Sequence, residues 1–334
     1  MYFIVIFLQV TVNLFSKYNI ENIAITESGK KVVNINKKNL LAPYYKLPRV
    51  SSVKIFVNFK NKRYSGKKNI KRKLNGSFFI RKINDKLFLF QKLELNDYVL
   101  GVLNSEIEDI DKIPLEALKA FYLIIKNYSL THLKRHKKIG ADFCDIAHCQ
   151  LYYISKKHNS CKHGNSRSEY RNSPLRHERG LFHKKIYYHN TLAITPYSSS
   201  CGKYTCDSET IWNKAYPYLK GKKLNSVLDK WQYKLSKKDL IRIVGKNAIN
   251  KLILKNGCVK NGENFRRKIN QNLGWNKIKS NVFTIKEFKT YYLIKGSGFG
   301  HNVGFCIKEA ILLANQRMNY KEIIKYFFKN VEIR

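Results

Sequence analysis

Three short stretches hold the residue types that do chemistry. Cys144, His148 and Cys149 lie within the six residues 144–149. Thiolate and imidazole ligands suit Zn²⁺, which normally takes four, and His136 is the nearest further candidate upstream. Neighbouring His and Cys must diverge to reach one ion, which a bend or loop allows. The same residues also read as a Cys144–Cys149 bridge or as reduced thiols. Glu106 follows the apolar run Tyr98–Leu103 and precedes a helix. Neither a cap nor an i,i+4 partner accounts for it. It reads as a general acid at the mouth of a helix-lined groove, or as a solvated loop glutamate. The run Gly296–Gly304 lacks the Lys-Ser/Thr of a phosphate loop and the Gly-x-Gly-x-x-Gly of a dinucleotide turn. It reads as backbone that a ligand can approach, with His301 facing a groove, or as a structural turn. Cys201, beside Ser198–Ser200, has no base fixed to it by the sequence and reads as a packed thiol.

The elements that must position these residues are partly legible. A helix is predicted from Pro114 to about His132. Pro114 suits the first position, where a missing N–H costs nothing. Leu118, Phe121, Tyr122, Ile125 and Tyr128 form one apolar stripe. Glu116 falls in the first turn, where a negative charge suits the helix dipole. Residues 1–90 look β-rich: Val53–Phe59 and Phe78–Ile83 are strand-like, with turns at Ser65-Gly66 and Asn75-Gly76. Residues 155–189, with His158, Cys161, His163, His177, His183 and His189, read as a long surface loop closing into a strand near Ile186–Tyr188. Residues 236–256 read as a helix pair, Lys237–Val244 and then Asn250–Leu254. Two C-terminal helices are expected, one over Glu309–Gln316 and one starting at Asn319, with Glu322 at capping-box spacing.

Composition bounds the rest. The 334 residues suffice for about two domains, and 44% apolar content fits a folded chain. The net charge of +41 favours anionic partners. Charge alone does not make a nucleic-acid binder: no aromatic-and-basic RNA or DNA module is visible, and no nucleic acid is expected as a partner. Seven cysteines are too few for a disulfide scaffold of this length. They leave metal ligation, one or two bridges, or inert thiols. Tyr2–Phe15 lacks a basic start and a small-residue cleavage site, so it makes a poor signal peptide. It is short for a membrane span, and its Ile/Val content suits a strand.

The motifs together resemble the stage II sporulation protein D (SpoIID/LytB) family of cell-wall glycan enzymes and amidase enhancers. Tyr98, Gly101, Val102, Ser105 and Glu106 fit its first block. Pro114, Glu116–Ala120 and Tyr128 fit the second, and Cys144, Asp145, His148, Cys149 and Gln150 the third. Arg179-Gly180, Tyr197–Gly202, Trp212, Pro217–Leu219 and Gly298–Gly304 continue the likeness over about residues 80–334. Departures are Phe121 for Gln, Lys126 for Arg, Ser198 for His, Lys203 for Gly and Ile307 for Gln. The resemblance implies an α+β fold, with a β-rich part over 1–90 and a mixed α/β core with a substrate groove over 91–334. It implies a lytic transglycosylase acting on peptidoglycan with Glu106 as its acid, or a non-catalytic glycan binder that enhances a cell-wall amidase. It implies substrate contacts from Lys126, Tyr197, Ser199, His301 and Asn302. It also implies structural zinc on Cys144, His148 and Cys149, with His136 the fourth candidate, and an extracytoplasmic location.

Overall fold

The computed structural model describes residues 8–27, 30–36, 38, 40, 44–46, 52–60, 65–72, 77–152, 173–225 and 229–334. It is an α+β chain, as expected. It forms two compact units interleaved in sequence: Met1–Asp111 with Ser129–His183, and Lys112–Tyr128 with Lys184–Arg334.

The first unit is built on β1 (Gln9–Leu14), β2 (Asn19–Glu27), β3 (Lys30–Asn36), β4 (Tyr44–Lys46), β5 (Ser52–Lys60), β6 (Ser65–Arg72), β7 (Ser77–Ile83), β8 (Lys86–Glu94) and β9 (Phe143–Cys144). They make one sheet in the order β4-β7-β8-β2-β5-β6, with β1 beside β8 and β3 beside β2. β1 runs antiparallel to β8, from Gln9 opposite Glu94 to Leu14 opposite Leu89, and parallel to β9. Val10, Val12, Leu87 and Leu89 are buried at alternate positions, and a one-residue slip would move each set to the other face of the sheet. Helix α1 (Leu95–Glu106) follows β8 directly. The apolar run Tyr98–Leu103 therefore lies inside a helix, and Glu106 is that helix's last residue, not a loop residue. Ser65-Gly66 open β6 and are not a turn. The expected turn at Asn75-Gly76, and His158, Cys161 and His163 of the expected loop, lie outside the described residues.

The second unit contains most of helix α2 (Leu115–Thr131), whose Leu118, Phe121, Tyr122 and Ile125 are buried as expected. Leu123, Ile124 and Asn127 are buried too, so burial extends beyond the predicted stripe, and its fifth member Tyr128 is half-buried. β10 (Ile186–Tyr188), β11 (Thr191–Leu192) and the terminal strand Glu332–Ile333 form a small sheet. Asn127 fastens α2 to it: its side chain accepts from the Ile186 amide and donates to the carbonyls of Ile186 and Ala193. β12 (Tyr197–Ser198) pairs in parallel with Phe305–Cys306. After the short helix α3 (Ser208–Trp212), β13 (Lys230–Ser236) joins an antiparallel trio with Phe283–Glu287 and Tyr291–Ser297. Helices α4 (Lys237–Val244) and α5 (Gly262–Leu273) pack on it through Leu240, Phe265 and Ile269, against Trp231, Leu235 and Ile294. Asn250–Leu254 is not the expected helix. A short 3-10 turn over Ile249–Lys251 leads into β14 (Ile253–Lys255), which pairs with β15 (Cys258–Lys260). Helices α6 (Ile307–Asn315) and α7 (Tyr320–Phe327) close the chain. α7 starts with the predicted capping box, in which Asn319 accepts from the amides of Lys321 and Glu322 and Glu322 accepts from the Asn319 amide.

Candidate functional site

Two clusters carry the residues singled out above, one in each unit. In the first, His136, Cys144, His148 and Cys149 come together with their ligand atoms all within 4.8 Å of one another. β9 delivers Cys144 beside β1. Asp142 accepts the Thr11 amide at 2.8 Å, and Asp145 accepts the amides of Phe15 and Ser16 and the Ser16 hydroxyl. These carboxylates are structural anchors that pattern reading did not assign. Gln150 is tied as well, its Oε1 accepting from Ser129 Oγ at 2.8 Å. His136 enters from a tight turn closed by Gly140, whose φ of +77° suits glycine.

The donor set fits zinc. Tetrahedral bonds of about 2.3 Å to sulfur and 2.0–2.1 Å to nitrogen put neighbouring donors about 3.6 Å apart. His136 Nε2 stands 3.2 Å from Cys149 Sγ, and His148 Nδ1 stands 3.7 and 3.8 Å from the sulfurs of Cys144 and Cys149. The Cys144 thiol is pulled down to about 4, chiefly because the Cys149 thiol donates to it, and the Cys149 thiol is raised in turn. Both thiols are free rather than bridged. Two sulfurs and two imidazole nitrogens thus lie within reach of one shared ion.

Glu106 lies in the same unit, half-buried at the end of α1, and its Oε1 accepts the Leu151 amide at 3.1 Å. The sequence offered no structural partner for it, and here it has one. Packing explains the rest of its motif. Tyr98 stacks on Phe143 at 4.7 Å and lies 5.2 Å from the Tyr152 ring. A Cβ on Gly101 would come within 2.4 Å of that ring, so glycine is required there by close approach. Tyr152 is held in turn by its hydroxyl donating to Gln91.

Glu116 behaves as a structural residue. Its carboxylate pairs with Lys119 at 2.9 Å and accepts the Tyr320 amide at 2.7 Å, at the first turn of α7. Lys126 is buried, and its Nζ donates to the Lys184 carbonyl at 3.0 Å. Burial, then Lys185 nearby, pulls it down to about 8.

The second cluster surrounds the glycine run. His301 Nδ1 accepts the Val303 amide at 3.0 Å, so the neutral ring carries its proton on Nε2. Ser198 Oγ lies 3.4 Å from the same nitrogen, and Trp212 meets the ring edge-on at 5.1 Å. Burial drives His301 down to about 4, against the pull of Glu263. Glu263 is held by Arg266 and by Asn281, and none of the three was singled out by sequence. Asn302 stands where the family pattern has glycine, and its φ of +66° explains the preference. It is fully buried. Its amide donates to Ser198 Oγ, its Oδ1 accepts the Asn281 amide, and its Nδ2 finds no acceptor among the described residues. Ser199 is exposed, and Tyr197 packs edge-on against Phe121 at 5.0 Å.

Residues 84–173 match the family model of the stage II sporulation protein, SpoIID. The chain is 25% identical over 267 residues to stage II sporulation protein D of Bacillus subtilis, covering 73% of this chain and 75% of that protein. The protein of the same name from Bacillus amyloliquefaciens is 24% identical over 267 residues, with the same coverage of 73% and 75%. An uncharacterised protein of Brachyspira hyodysenteriae is 28% identical over 277 residues, covering 77% of this chain and 71% of that one. The chain is similar to SpoIID proteins both in this stretch and along most of its length. No helix among the described residues is long and apolar enough to cross a membrane.

Proposed function

We propose that this protein cleaves peptidoglycan glycan strands as a lytic transglycosylase, with Glu106 as general acid and then base. Glu106 protonates the oxygen bridging N-acetylmuramic acid and N-acetylglucosamine as that bond breaks. The resulting carboxylate takes the proton of the muramyl C6 hydroxyl while that oxygen closes on C1, leaving an anhydro end. One carboxyl suffices because the sugar's own hydroxyl replaces the water that hydrolysis would need. The observation that carries this reading is the half-buried Glu106, oriented by the Leu151 amide within the stretch that matches the family. Purified wall glycan, with and without its peptides, is the substrate to offer. Anhydromuramyl ends are expected from the parent, and Glu106→Gln is expected to lose about 10²–10⁴ in rate while folding normally. Equal cleavage by the variant would overturn the assignment.

One observation favours a second reading, a non-catalytic glycan binder that enhances a cell-wall amidase. At the position of the family's Arg, the Lys126 ammonium is buried on a backbone carbonyl. If the parent binds wall glycan, cleaves none of it, and accelerates an added amidase, this reading replaces the first.

The same reading includes structural zinc held by His136, Cys144, His148 and Cys149. Bound zinc would supply a fixed centre, and through it these four side chains would tie the turn at His136 to β9 and the loop after it. Protein purified without added metal is expected to contain about one zinc per chain, as a closed four-ligand site does. Cys149→Ser is expected to lose both the metal and more stability than the roughly 0.5 kcal/mol of an ordinary surface change. Metal-free protein of unchanged thermal midpoint would refute it.

A further inference from the structure

Four cysteines of the second unit lie close in the fold. Cys206 and Cys258 are bonded, across 52 residues. Such a bond belongs to an oxidising compartment. Cys201 and Cys306 are free and fully buried. The Cys201 amide donates to Cys306 Sγ at 3.1 Å, and the two thiols are within hydrogen-bond reach of each other. Cys306 is the N-cap of α6, where the amino end of a helix favours thiolate. The Cys201 thiol, donating to it, holds the Cys306 thiol below its usual range, while burial and that same interaction raise Cys201. The pair is not a metal site: among the described residues, the His136 cluster is the one group of three or more ligand side chains close enough to share an ion.

We propose that Cys201 and Cys306 are a second disulfide site, closed by an external disulfide oxidant while this unit folds. Four cysteines allow three pairings. With Cys206 joined to Cys258, this is the one that remains, and it is the one the thiol contact favours. Cys306 thiolate attacks one sulfur of the oxidant, forming a mixed disulfide and expelling one thiolate. Cys201, having lost its proton, then attacks Cys306 Sγ and expels the second. Two protein thiols become one disulfide, and the oxidant leaves as two thiols carrying the two protons.

The bond has a purpose in the fold. Ser200 and Phe299 exchange backbone hydrogen bonds at 3.2 and 2.6 Å, and a Cβ on Gly298 would meet the Cys201 carbonyl carbon at 2.7 Å. The Cys201 segment therefore already grips one end of the loop that carries His301, and Cys306 ends that loop. Bonding the two closes the loop at its base.

The test is refolding of the reduced full-length chain across a series of reduced and oxidised glutathione ratios. Samples are alkylated in denaturant without reductant, digested and mapped by mass spectrometry. The expected result is a reducible peptide pair containing Cys201 and Cys306, lighter by two hydrogens than its parts, in molecules that also carry the Cys206–Cys258 link. Amide exchange in Gly298–Gly304 is expected to slow in those molecules relative to Cys201→Ser. If Cys201 and Cys306 are alkylated where Cys206–Cys258 has formed, or either is joined elsewhere, the proposal is overturned. Failure of the Cys201–Cys306 link at every ratio overturns it as well. The parent map decides even if the variant does not fold.

Discussion

Glu116 holds two helices at once. It pairs with Lys119 on its own helix, and it accepts the Tyr320 amide at the start of α7. Glu116→Gln keeps an acceptor for that amide and loses the charge, so about 0.3–1 kcal/mol of stability should go. Glu116→Ala strands the amide and should cost more, about 1–3 kcal/mol. Urea unfolding of both variants reads the difference, and glycan cleavage, where the parent cleaves, should survive in the Gln variant. The first-turn role of Glu116 was legible because helix dipoles act locally. The partner from α7 was not, because no pattern links positions 116 and 320. Glu106 was misplaced for a related reason. Val99–Leu103 is buried on every side of α1, which erases the helical period that would have revealed it.

At the scale of elements, the legible pieces were those whose signals are local. α2 shows its stripe, and α7 its capping box. β14 was misread because Ile253 and Leu254 are apolar without being core. All three residues of the strand are exposed, and its shape comes from pairing with β15, which its own residues do not announce. The α1 motif yields a sharper expectation. Gly101→Ala puts a methyl group within 2.4 Å of the Tyr152 ring, and that ring is fixed by Tyr98 and Gln91. Overpacking of this kind costs about 1–3 kcal/mol. Thermal unfolding measures it, and Gly101→Ala with Tyr152→Ala should recover part of the Gly101 penalty. Simple additivity of the two changes would mean that the contact is not the cause.

For the whole molecule, two half-buried groups pull its pH dependence in opposite directions. Asp97, on α1, is raised to about 6 by burial and then by Glu94. Between its unfolded value and 6 the folded state binds the extra proton, so stability falls as pH rises through that window. His301 is lowered to about 4, so between 4 and its unfolded value the unfolded state binds the extra proton. Stability rises with pH there. Asp97→Asn should therefore steepen the loss of stability on acidification, and His301→Asn should flatten it. Thermal midpoints from pH 4 to 7 provide the check, with the parent lying between the two.

The interleaving of the two units has a consequence in time. During synthesis β1 gains β8 as a neighbour once residue 94 has emerged, yet its other edge waits for Phe143 and Cys144. Roughly fifty further residues, at about 5–20 per second, leave that edge unpaired for seconds. The wait is longer for α2, whose Phe121 meets Tyr197 only once that residue has emerged and stacks on Phe305 later still. The nascent protein therefore carries an open strand edge for about fifty residues of synthesis and an incompletely covered apolar helix face for longer, which makes it a natural client for chaperones that hold unfinished chains.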